Sequence, residues 1–144
     1  MITIIMMKIS FLQINDVVSS ILFYNNNILI LKRSNLVKSF QGRWSGVSGY
    51  LEGIEDPLHR AYIEIKEETE ISGTDLTLIR IGSIVLSSNQ QNVIWIVHPF
   101  LFKTNVNEII LNYENCEYEW ISPRDVNNYD LVPGLVKTIN RLLV

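Results

Sequence analysis

Residues 49–71 read GYLEGIEDPLHRAYIEIKEETEI, and the second half of this stretch has helical spacing. Asp56 can cap a helix and Pro57 suits its first turn. Leu58, Ala61, Ile65 and Thr69 then recur at intervals of three and four, with Tyr62 beside them, which predicts a helix from Pro57 to Ile71. Glu64, Glu67 and Glu68 stand at i, i+3 and i+4 and leave one face together, while Leu58, Ala61 and Ile65 face inward from the other. Like charges at this spacing cost an isolated helix some tenths of a kcal/mol per pair. Glu70 adds a further negative charge at the end where the helix dipole disfavours it. Arg60 and Lys66 offset part of this, and a hard divalent cation such as Mg2+ or Mn2+ would offset much more. An acidic run on a helix is ordinarily a solvated face. The glycines ahead of this one, with Glu55 between them and the helix, set it apart.

Outward from the helix, the chain reads mostly as strands. Val17 to Tyr24 and Ile28 to Arg33 are apolar runs separated by Asn25-Asn26-Asn27, a hairpin with turn residues that tolerate positive φ. Ser34 to Trp44 reads as a polar loop, and Ser45 to Leu51 as a short strand carrying glycines where another part of the chain approaches closely. Leu76 to Ser87 and Val93 to Lys103 form a second predicted hairpin through residues 88–92, with Pro99 implying an edge position or a bulge. A short strand at Tyr118 to Ile121, a helical turn opened by Ser122-Pro123 and an amphipathic helix from Pro133 to Leu143 complete the order. Hairpins mixed with helices predict an α+β fold, a mixed sheet between helices.

The bulk properties bound the answer. A chain of 144 residues suffices for one domain with a sizeable core. The formal charge of −3 gives no basic footprint, so tight nucleic-acid binding is not expected. Cys116 is the only cysteine, which excludes an internal disulfide and disfavours a thiolate zinc site; this fits a cytoplasmic location. The apolar run Met1 to Ile14 has the composition of a signal peptide, but Lys8 interrupts it, no basic residue precedes it and no small-residue cleavage site follows. Residues 1–13 are expected to form an N-terminal extension to a single domain, with Met6 and Met7 as alternative starts.

The segment Gly49 to Ile71 resembles the Nudix box, G-x5-E-x7-R-E-U-x-E-E-x-G-U with U aliphatic: Gly49, Glu55, Glu64, Ile65, Glu67, Glu68 and Ile71 match, while Ile63 takes the Arg position and Glu70 the second Gly position. Gly42-Arg43-Trp44 with Gly46 to Gly49 resembles the entry to that box in the superfamily, and the stretch Trp95 to Phe100 and the tail from Tyr118 to Leu135 resemble a group of archaeal Nudix proteins, so the likeness covers roughly residues 17 to 144. It implies an α/β/α sandwich and a Mg2+-dependent pyrophosphohydrolase acting on a nucleoside diphosphate linked to another group. Small-molecule nucleotides, rather than membranes, would be its partners, and two copies would pair as a homodimer. By the same resemblance Glu64, Glu67, Glu68 and the Gly49 carbonyl would be metal ligands, with Glu64 and Glu68 catalytic and Glu55 in support. Arg60 would stand in part for the missing Arg, as would Lys66 from the flank. The family Gly closes the helix in a left-handed conformation, so the helix here is expected to run on past Glu70 to Gly73. The rival reading is a catalytically weak Nudix-fold domain that binds a nucleotide or a protein as a regulator, favoured by Ile63 and Glu70.

Outside the box, Arg33 and Arg43 are candidates for phosphate contact. Glu114 is chosen over Glu117 and Glu119 as an added acidic group, since Nudix enzymes often supply one from a loop before the last strand. Trp44, Tyr50, Trp95, Phe100 and Trp120 include candidates for stacking on a base. His98 is expected to be packed and hydrogen-bonded, and His59 to lie on the helix surface.

Overall fold

The computed structural model describes residues 12–88 and 92–143. The expectations for residues 1–11, and for the tip of the second hairpin, lie outside the described residues. The strands are β1 (Gln13–Tyr24), β2 (Asn27–Arg33), β3 (Trp44–Ser45), β4 (Val47–Tyr50), β5 (Leu76–Ile81), β6 (Val85–Ser87), β7 (Val93–Thr104) and β8 (Asn115–Ile121). The helices are α1 (Pro57–Thr69) and α2 (Leu135–Leu142). All eight strands join one sheet, in which β1 and β7 run parallel at the centre and the other pairs are antiparallel.

Alternation along the central strands builds two cores. Val18, Leu22, Leu29 and Leu31 face one way and pack on Ala61 and Ile65 of α1. Ile21, Ile28 and Ile30 face the other way and pack on Leu135, Ile139 and Leu142 of α2. Both faces of β1 and β2 are therefore apolar, as a sheet covered on both sides requires. The expected α/β/α sandwich with a mixed sheet is the fold observed.

The first hairpin turns through Asn25 and Asn26 at φ 48° and 63°, the left-handed pair that a two-residue turn matching strand twist demands. Several expected boundaries shift. β1 begins at Gln13, four residues before the apolar run, because pairing with β7 continues from Gln13↔Val93 upward. The expected strand from Ser45 is two strands broken at Gly46, where a Cβ would lie 2.9 Å from the Ser20 carbonyl oxygen. Leu76 to Ser87 is likewise split, with residues 82–84 outside the ladder. Pro99 sits opposite that break in a strand paired on both sides, not at an edge; its carbonyl accepts from Gly82 N at 3.0 Å, so its missing N–H costs the ladder nothing. No helix among the described residues is long and apolar enough to cross a membrane.

Candidate active site

α1 starts where the sequence places it, with Asp56 Oδ1 accepting from Leu58 N at 3.2 Å. Its end differs from the expectation. The helix stops at Thr69, and Glu70 adopts the left-handed conformation at φ 64° with its N–H donating to the Lys66 carbonyl at 3.0 Å. The chain turns there because Ile71 is drawn into the core, only 2% exposed, while the Thr69 hydroxyl bridges the Ile65 carbonyl and the Ile71 N–H. Ser72-Gly73 opens a 3-10 turn (Gly73–Asp75) instead of closing the helix. A left-handed non-glycine residue costs about 1 kcal/mol, which this packing offsets. Lys66 pairs with Glu70 at 3.4 Å in solvent and gives the acidic face nothing, contrary to the expectation.

The acidic face is not a solvated one. Glu64 is 7% and Glu68 2% exposed, so α1 presses part of its acidic stripe against the sheet along with its apolar one; Glu67 remains exposed. Carboxylate oxygens of Glu64, Glu67 and Glu114 lie within 4.8 Å of one another. Glu114 arrives from the loop before β8, which is tied to Ser34 by Ser34 N to the Glu114 carbonyl at 2.8 Å and Ser34 Oγ to the Tyr113 carbonyl at 2.6 Å. The same loop donates Ile110 N to the last helical carbonyl, Thr69 O, at 3.1 Å. Glu117 and Glu119 go elsewhere, to Lys32 and to the Tyr129 hydroxyl.

Gly49 forms the floor of the cluster. It pairs with Val18 in the β1–β4 ladder, and a Cβ built on it would lie 2.1 Å from Glu64 Cδ. Any side chain at position 49 would thus take the place of the Glu64 carboxylate. Burial, then Glu67 and Glu114, push the Glu64 carboxyl up to about 7 against the pull of Arg60.

Glu68 stands apart from this trio. Its Oε1 accepts from Asn115 Nδ2 at 3.0 Å, while Oε2 is buried without a hydrogen-bond partner. Burial, then Glu114 and Glu64, raise its carboxyl well above the usual range. Asn115 was missed by sequence reasoning; only its position next to Glu114, at the first residue of a strand paired to β2, hinted at it.

Arg60 is held on three sides. Nε and Nη2 donate to Glu55 Oε1 and Oε2 at 2.7 and 3.0 Å, Nη1 reaches Glu64 Oε1 at 3.4 Å, and Glu52 lies at 3.9 Å. Glu55 also accepts from Glu52 N at 2.8 Å, which fastens the loop to the helix. Arg60 holds the Glu55 carboxyl below its usual range, and Glu55 in turn raises the guanidinium.

Beside the cluster opens a cleft lined in part by Arg33, Gly49, Tyr50, Trp95 and Glu114. Arg33 is fixed by Nε donating to the Ser39 carbonyl at 2.8 Å, and burial lowers its pKa against the pull of Glu68 and Glu114. Arg43 does not line the cleft, contrary to the expectation; its guanidinium lies over the Phe40 ring at 5.8 Å and leans to Asp130 at 3.9 Å. Of the five aromatic candidates, Tyr50 and Trp95 line the cleft. Trp44 packs on Tyr129, Trp120 donates to the Asn107 carbonyl, and Phe100 is in the core. Phe40, which sequence reasoning missed, joins Trp95 there with ring centroids 5.8 Å apart. His98 bonds Asp16 at 2.5 Å and His59 is exposed, both as expected.

The NUDIX domain family model matches residues 15–142. The chain belongs to the Nudix family. Solved Nudix-like structures superpose over nearly its whole length. A MutT protein from Methanosarcina mazei Go1 gives a TM-score of 0.73 at 20% identity, covering 90% of this chain and 93% of that one. An Ap4A hydrolase of C. elegans gives 0.71 at 17%, with 88% and 93% covered, and an ADP-ribose pyrophosphatase from Streptococcus suis gives 0.62 at 19%, with 89% and 86% covered. At such identities the likeness is one of fold. No curated protein matches the chain.

The donor set of this Nudix site fits a hard divalent cation. Three carboxylates converge on a floor that only glycine leaves free, and a fourth carries a buried oxygen with no protein partner. The cluster holds no nitrogen or sulfur donor of the kind that zinc or copper prefers.

Proposed function

We propose that the protein hydrolyses a diphosphate linkage in a nucleoside diphosphate joined to another group, with Mg2+ as its ion and Mn2+ able to replace it. The observation that carries this reading is the convergence of Glu64, Glu67 and Glu114 within 4.8 Å at the edge of a cleft that also presents a fixed arginine. The Nudix fold, and its occurrence in an Ap4A hydrolase and an ADP-ribose pyrophosphatase, supports the substrate class.

Glu64, Glu67, Glu114 and the Gly49 carbonyl would hold the ion, with Glu68 completing the acidic set from its seat on Asn115. A bound Mg2+ supplies charge neutralisation at the phosphate oxygens and a lowered pKa for water. Arg33, which lines the cleft together with Glu114, orients the diphosphate by charge-assisted hydrogen bonds. Glu64 is the proton acceptor, because it stands among the carboxylates that would hold the ion and Arg60 fixes its direction. Arg60 favours the enzyme over the rival reading of a weak or regulatory domain: Ile63 leaves the motif position without a cation, and Arg60, three residues earlier on the helix, brings one to Glu64.

The test is a panel of ADP-ribose, nucleotide sugars, dinucleoside polyphosphates and oxidised nucleoside triphosphates, incubated with Mg2+ and with EDTA. Mg2+-dependent release of a nucleoside phosphate is expected. No turnover across the panel, together with a nucleotide that raises the melting temperature, would replace the enzyme with the binding domain.

A further inference from the structure

β8 does not pair with β2 as an unbroken ladder. Tyr118 and Glu117 oppose Leu31 and Lys32, and Asn115 then opposes Arg33, which leaves Cys116 as the extra residue of a bulge. Opposed residues share a face of the sheet, and Leu29 and Leu31 of β2 pack on the α1 side together with Trp120 of β8. Arg33, two positions beyond Leu31, has that same side, and so has the Asn115 that opposes it. In an unbroken ladder Cys116 would stand opposite Arg33 and Asn115 would face away from α1, because a slip of one residue reverses the faces. Cys116 is instead exposed, with its thiol donating to the Lys32 carbonyl at 3.7 Å.

The re-aimed side chain is buried, and its Nδ2 donates to Glu68 Oε1 at 3.0 Å. Glu68 Oε2 is buried with no partner, a costly condition for an acceptor that a hard cation would relieve. The preceding residue is set in a similar way: Asn112 Oδ1 accepts from Glu114 N at 3.0 Å, and Asn112 Nδ2 lies 3.4 Å from Glu114 Oε1. Both amides are neutral. A lysine or arginine in their place would cancel the charge that attracts an ion, whereas an amide fixes the direction of a carboxylate and leaves that charge in place.

We infer that Asn115 is a positioning residue of the ion site: the bulge in β8 brings its amide to Glu68 and fixes that carboxylate with one oxygen left for the metal. The inference rests on the reading of these carboxylates as the holders of a divalent ion.

The test is manganese binding followed by electron paramagnetic resonance, without substrate, on the parent, Asn115→Leu, Glu68→Gln and the double variant. Leucine keeps the branched shape and removes the donor. Asn115→Leu should weaken Mn2+ binding by about tenfold or more. Glu68→Gln removes the carboxylate through which Asn115 acts, so adding Asn115→Leu to it should change the affinity by no more than about twofold. A role in packing alone would give equal losses in both backgrounds. Melting temperatures in EDTA identify a variant that has not folded, and Asn115→Ser, too short to reach Glu68, then carries the same comparison. Parental affinity in Asn115→Leu or in Glu68→Gln, equal losses from Asn115→Leu in the two backgrounds, or no Mn2+ bound by the parent overturns the inference. If Asn115→Leu and Glu68→Gln bind as the parent does while Glu64→Gln binds weakly, this inference falls and the ion site stands. If the variants behave as expected and the nucleotide panel shows no turnover, the inference survives and the hydrolysis falls.

Discussion

The Arg60 guanidinium clasps the Glu55 carboxylate through two hydrogen bonds, at 2.7 and 3.0 Å. With its third nitrogen Arg60 reaches Glu64 at 3.4 Å, so one side chain joins the glycine-opened loop to the acidic face of α1. It lies three positions before Ile63, nearly one turn along the same helix.

Arg60→Ala should therefore lower kcat by about 10- to 100-fold, the range for losing a group that orients a metal-site ligand. Ile63→Arg should recover part of that loss in the Arg60→Ala background and change the parent little. The four rates, measured under one Mg2+ concentration, check both statements. An Arg60→Ala variant at parental rates, or a large gain from Ile63→Arg alone, would show that Arg60 does not do this work.

Glu68→Gln separates function from stability. The carboxyl is buried, favours its protonated form and has one oxygen without a partner. The amide has the same shape, needs no ionisation and can still accept from Asn115 through its oxygen. The variant should melt at or above the parental temperature in EDTA, within about 1 kcal/mol of it in stability, and lose its turnover. Thermal unfolding and a substrate assay on one preparation test this.

Stability should depend on pH in an unusual direction. Glu64 titrates near 7 in the folded protein against an ordinary value of 4.5. Between those values the folded state keeps a proton that the unfolded chain has released, so raising the pH destabilises the fold. Glu68 acts in the same sense. Glu55, held low by Arg60, acts oppositely but only below its ordinary range. In EDTA the melting temperature should thus be roughly 5 °C or more lower at pH 8 than at pH 5.5. Mg2+ should close the gap, because it partners the ionised carboxylates. Equal melting temperatures at the two pH values in EDTA would contradict the buried acidic cluster.

Much of this was legible in the sequence. The spacing of Leu58, Ala61 and Ile65 located α1, and the Asn25-Asn26 turn located the first hairpin, because both are local signals. The site was legible where it followed a spaced motif, as for Gly49 and Glu64. Three features were not. Burial of Glu64 and Glu68 is a property of the helix docking on the sheet, which periodicity cannot report. Asn115 and Phe40 act through partners 47 and 55 positions away, Glu68 and Trp95, and no local pattern links them. The left-handed Glu70 was expected to be avoided, since propensity alone disfavours it; the buried Ile71 overrode that preference.

The central claim is that these carboxylates gather one divalent ion. Manganese binding followed by electron paramagnetic resonance, on the parent and on Glu64→Gln, Glu67→Gln and Glu114→Gln, tests it without any substrate. One site in the parent, weakened about tenfold or more by each substitution, is the predicted result. Unchanged affinity in all three variants would mean that the ion, if bound at all, sits elsewhere.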